Sequence, residues 1–96
     1  MSGYRLTIIA VFSLFLAACA TAPVQQMSNA RLALQAAKKA GAAQRVPQEY
    51  DRAKVLLQRA EVQLQVGGYQ SAKALAEEAQ RAAQKAREDA LKKEKT

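Results

Sequence analysis

Leu64-Gln65-Val66-Gly67-Gly68-Tyr69-Gln70-Ser71-Ala72 sets two consecutive glycines between two strongly helical segments. Glycine inside a helix costs about 1 kcal/mol relative to alanine and is the residue that best accepts a left-handed cap, so the pair stops one helix and opens another. Upstream, Tyr50, Ala53, Leu57, Ala60 and Leu64 recur at alternating spacings of three and four. Downstream, Tyr69, Ala72, Ala76, Ala79, Ala83, Ala86 and Ala90 do the same. Each stripe is the seam of a coiled-coil-like helix, and a turn this short makes the two helices antiparallel neighbours. Folding about the glycines sets Leu64 against Ala72, Ala60 against Ala76, Leu57 against Ala79, and Tyr50 near Ala86. Large side chains on one seam meet small ones on the other, which lets the axes approach closely without leaving cavities.

Working outward, Pro47 opens the second helix, and Glu49 and Asp51 in its first turn complement the helix dipole. Before it lies a turn over 42–46, and before that a first helix with its own seam of Met27, Ala30, Leu34, Ala37 and Gly41. Thr21 is placed to cap this helix, Pro23 sits near its first turn, and Gly41 stops it. The helices are expected at 24–40, 47–66 and 69–93, with Lys92, Lys93 and Lys95 at the negative end of the last dipole. Matching openings, Tyr50-Asp51-Arg52-Ala53-Lys54 and Tyr69-Gln70-Ser71-Ala72-Lys73, suggest a degenerate repeat of about 19 residues. The three seams differ in phase, which disfavours one long rod. The fold expected is all-α: a short antiparallel three-helix up-down-up bundle with Ala-rich seams, following an N-terminal signal helix. Because alanine buries little area, marginal stability or self-association as a homo-oligomer is expected.

That signal is read from the other end of the chain. Met1 to Arg5 carries one positive charge, an apolar run follows from Leu6, and the run closes on Leu16-Ala17-Ala18-Cys19. This is the n-region and h-region layout of an export signal. Its close resembles the bacterial lipobox, which implies cleavage between Ala18 and Cys19 after the Cys19 thiol takes a diacylglyceryl group. About 13 apolar residues make a helix of roughly 20 Å, against a hydrocarbon core of about 30 Å, so a spanning helix is disfavoured. Residues 1–18 are thus expected to be a signal peptide, residues 19–23 a lipidated cysteine with a short tether, and residues 24–96 the helical domain. Ala20 follows the cysteine where an inner-membrane retention signal of the enteric kind would carry Asp. Outer-membrane anchoring, facing the periplasm, is the resulting expectation.

The lipobox, Ala40-Gly41-Ala42, Pro47, and Ala60 and Leu64 ahead of Gly67-Gly68-Tyr69 together resemble a bacterial lipoprotein family, the domain of unknown function DUF4398. The resemblance spans nearly all of the chain after the signal and implies no activity. Gly67-Gly68-Tyr69-Gln70-Ser71-Ala72 also resembles the turn of a tetratricopeptide repeat, although a single hairpin falls short of a solenoid.

Composition narrows the function. After the signal there is no His, Trp or Phe, and no Cys other than Cys19, which excludes a zinc site, a disulfide and a Cys/His or Ser/His/Asp nucleophile. Glu77 and Glu78 are adjacent and diverge around a helix, a poor arrangement for acid/base work. No enzyme activity, metal or cofactor is expected. The net charge of +7 falls by one when Arg5 leaves with the signal. An exported chain does not meet nucleic acid, and part of this charge is explained by i,i+4 pairs, Glu77 with Arg81, Glu88 with Lys92 and Asp89 with Lys93. The remaining basic excess suits anionic lipid, lipopolysaccharide phosphates or cell-wall carboxylates. The two tyrosines, Tyr50 and Tyr69, are expected to plug the ends of the Ala-lined core.

The expected function is a non-enzymatic helical scaffold or adaptor, held to the membrane through lipid on Cys19 and meeting peptidoglycan or an envelope protein. The alternative is a small binding module whose basic surface contacts peptidoglycan, lipopolysaccharide or anionic lipid. The last helix, about 37 Å long, would carry Leu91, Lys92, Lys93 and Lys95 outward as the contact surface. Covalent attachment of the kind seen in the major murein lipoprotein is disfavoured, because Lys95 is followed by Thr96.

Overall fold

The computed structural model describes residues 23–95. The signal over 1–18, the Ala18–Cys19 cleavage point, the Thr21 cap, the tether up to Ala22, and Thr96 therefore lie outside the described residues. Within them the chain is all-helical. Four helices follow one another: α1 (Val24–Lys39), α2 (Ala42–Arg45), α3 (Pro47–Gln65) and α4 (Tyr69–Glu94).

The short α2 corrects the sequence reading, which left 42–46 as a turn. Gly41 takes the left-handed φ of 82° that ends α1, and its carbonyl at once accepts from the Gln44 and Arg45 N–H groups. Ala42-Ala43-Gln44-Arg45 are strong helix formers, so one turn of helix satisfies backbone groups that a loop would leave to water. Val46 then leaves the helical region at φ −135° and ψ 62°, as a residue before proline tends to, and Pro47 opens α3.

The α3–α4 turn is a Schellman motif. The Gly68 N–H donates to the Gln63 carbonyl at 2.8 Å and the Gly67 N–H to the Leu64 carbonyl at 3.3 Å, with Gly67 at φ 82°. A Cβ on Gly67 would meet nothing within 4 Å, so only the left-handed backbone disfavours a side chain there. Gly67→Ala is accordingly expected to lower stability by about 1–2 kcal/mol, the cost of holding an L-residue left-handed. Urea denaturation followed by circular dichroism measures this, and an unchanged midpoint would place the helix stop elsewhere.

Two buried clusters make the core. Met27, Ala30, Leu56, Leu57, Ala60, Ala76 and Ala79 form one, with Leu34, Leu64 and Leu75 packed against it. Ala37, Ala42, Val46, Ala86 and Ala90 form the other, with Tyr50 and Ala40 against it. Leu57 and Ala60 share their cluster with Ala76 and Ala79, and Tyr50 packs on the cluster of Ala86, as folding about the glycines requires. Ion pairs mark the register of α3 on α4: Glu49 meets Lys85 at 3.5 Å and Glu78 meets Arg52 at 3.8 Å, so α3 runs back along α4. Leu56, absent from the sequence seam, is buried beside Leu57. Tyr69 is a second correction. It begins α4 beyond the last buried alanine, Ala72, and its ring is exposed instead of plugging the core.

Candidate functional site

Leu91, Lys92, Lys93 and Lys95 end α4 beside α2. Leu91 is half-buried, while the three lysines are exposed. The Arg45 guanidinium sits at the centre of this end. It donates to the Ala40 carbonyl at 3.0 Å, closing an open carbonyl at the end of α1, and pairs with Glu94 at 3.6 Å. The Lys93 ammonium donates to the Arg45 carbonyl at 3.0 Å. The last turn of α4 is therefore tied to the α1–α3 connection by charge-assisted contacts in both directions.

The α3–α4 face carries charge of both signs. A shallow groove of about 420 Å³ is lined by Glu49, Arg52, Glu78, Arg81, Ala82 and Lys85. Arg52 with Glu78 and Lys85 with Glu49 and Asp89 pair across or along this face, which leaves no one-sided charge for a ligand to read. The sequence expected Glu77–Arg81, Glu88–Lys92 and Asp89–Lys93. Asp89 pairs with Lys85 at 3.0 Å, and Glu49 on α3 adds a second carboxylate to Lys85 at 3.5 Å.

The hydrogen bond from Lys85 holds the Asp89 carboxyl below its ordinary 3.8, and Glu49 reinforces the shift. The bond to Asp89, joined by the charges of Asp89 and Glu49, raises the Lys85 ammonium above 10.5. A carboxyl lowered in the fold contributes stability above its unfolded value and loses it as pH falls through the folded one. A raised ammonium contributes below its unfolded value and loses it as pH rises through the folded one. Asp89→Asn should therefore cost a small, constant amount near neutrality, small because Lys85 is exposed and solvent screens the pair. Its difference from the parent should close as pH falls below 3.8. Urea midpoints measured against pH check this; a gap that persists in strong acid would mean that the loss is packing and not charge.

Among the described residues, no group of His, Cys, Asp and Glu could hold a metal, and no helix is long and apolar enough to cross a membrane. Glu77 and Glu78 do not converge on a shared site, since Glu78 turns to Arg52.

The family described as Domain of unknown function (DUF4398) matches residues 25–96. The chain belongs to this family. No curated protein and no solved structure matches it. The DUF4398 match opens one residue inside α1 and takes in all four helices, so the family unit coincides with the bundle.

Proposed function

We propose that this DUF4398 protein is a lipid-anchored envelope lipoprotein whose bundle acts as a non-enzymatic scaffold or adaptor on the periplasmic face of the outer membrane. The observation that carries the reading is Leu16-Ala17-Ala18-Cys19 at the close of an apolar run, just ahead of the segment that matches the family. Pro23 is four residue steps from Cys19, a reach of at most about 13–15 Å when extended. Acyl chains on Cys19 thus hold α1 beside the bilayer, and the three long helices run up, down and up from it. In this arrangement the end of α4, with Leu91, Lys92, Lys93 and Lys95, is the far tip offered to peptidoglycan or an envelope protein.

Feeding cells a labelled fatty acid and separating inner from outer membranes tests the reading. Label on the protein in the outer-membrane fraction is the expected result, and an unlabelled protein in the soluble fraction would overturn it. Exposure of Lys92 and Lys95 favours a second reading, a module that binds wall or lipopolysaccharide through charge. Co-sedimentation with isolated wall that is lost on adding salt would select it.

A further inference from the structure

Six large apolar side chains are exposed among the described residues, and four of them gather at one end of the bundle. Val62 and Val66 lie one turn apart on the last stretch of α3 and its cap, 55% and 71% exposed, and Tyr69 opens α4 at 42%. Val24, the first residue of α1, is 68% exposed. The Arg31–Glu61 ion pair at 3.6 Å marks the register of α1 against α3. Seven residues back along α1 from Arg31 and five to seven onward from Glu61 both travel about 10 Å, so Val24 is level with the Gly67-Gly68 turn.

Charge at this end has one sign to spare. Between residues 59 and 73 the acidic side chain is Glu61, which Arg31 neutralises. Arg59 and Lys73 are exposed, form no ion pair among the described residues, and stand within one turn of Val62 and Tyr69 respectively. Apolar side chains with a tyrosine, ringed by cations on long stems, match a bilayer interface: tyrosine sits at headgroup level, and Arg and Lys reach lipid phosphates while their stems stay on apolar surface. The polypeptide outside the described residues enters at this same end, through Pro23.

We infer that Val24, Val62, Val66 and Tyr69 form a membrane-seating tip that beds into the headgroup region of the bilayer, with Arg59 and Lys73 on anionic lipid phosphates. This rests on the proposed lipid anchor, which brings the tip to the surface. Seating would then fix how the bundle stands, instead of leaving it to swing on its tether.

The chain has no tryptophan, so a single one reports its own surroundings. The full acylated protein carrying Val66→Trp, and separately one carrying Gln44→Trp at the opposite end, would be reconstituted into vesicles of phosphatidylethanolamine with a minority of phosphatidylglycerol, with and without brominated acyl chains. Flotation first reports the anchor. For Val66→Trp, a blue-shifted emission and several-fold stronger quenching by brominated lipid than for Gln44→Trp are expected, both diminished when Tyr69→Ser and Val62→Ser are added. Protein that floats while both tryptophans are quenched alike overturns the tip and leaves the anchor standing. Protein that does not float overturns the anchor, and the tip falls with it. A blue shift that appears without vesicles and grows with protein concentration assigns the patch to a second copy and also overturns the proposal.

Discussion

Ala76→Leu is expected to lower the melting temperature by about 10 °C or more, whereas Ala74→Leu two residues away on the same helix should leave it nearly unchanged. Alanine and leucine have almost the same helix propensity, so the pair separates packing from local preference. Ala76 is fully buried among Met27, Ala30, Leu56, Leu57, Ala60 and Ala79, where three helices meet, and Ala74 is exposed. Three added carbons at the first site must displace a neighbouring helix or adopt a strained rotamer, at a cost of about 1–3 kcal/mol. A domain of this length is stable by only roughly 4–11 kcal/mol in total, so the loss is a large share. Melting followed by circular dichroism decides the matter. Equal melting of the two variants would mean that the alanine seam is not a close helix contact.

Cys19→Ser is expected to abolish fatty-acid labelling and leave the precursor with its leader attached. Diacylglyceryl transfer needs a sulfur nucleophile, a serine hydroxyl does not replace it, and the lipoprotein peptidase acts on the modified cysteine. Each buried methylene contributes about 0.8 kcal/mol, so under the proposed lipidation the variant loses an anchor that no surface charge could match. Because the DUF4398 match begins at residue 25, the helical content of the domain should be unaffected. Gel mobility, label incorporation and circular dichroism of the same variant read these outcomes together, and undiminished labelling would refute the anchor.

Much of the bundle was legible because its cause is local. Gly67-Gly68 needs only the glycine preference for a left-handed cap, and the alanine stripe of α4 needs only a helical period; Ala72, Ala76, Ala79, Ala83, Ala86 and Ala90 are all buried. Leu56 escaped because a stripe of threes and fours admits one side chain per turn. A helix touching both α1 and α4 buries a wider arc, and there Leu56 joins Leu57. Ala42 and Val46 escaped because a four-residue helix is too short to show a period, although their spacing of four was a usable sign. Tyr69 was misassigned since the seam continues through it in sequence while the packed layers end at Ala72. Of the candidate tip, the separate residues were visible but their meeting was not, since Val24 and Val66 are brought level by the packing of α1 in the bundle, a register marked by Arg31 and Glu61, thirty positions apart.

Both core clusters draw on α4, one through Ala76 and Ala79 and the other through Ala86 and Ala90. The helices made first during synthesis, α1 to α3, therefore have no complete interior of their own to collapse around. The alanine run that looks like the plainest part of the sequence is thus the shared wall of both clusters, and without it Met27, Leu56 and Leu57 on one side and Ala37, Ala42 and Val46 on the other would lack their closing surface.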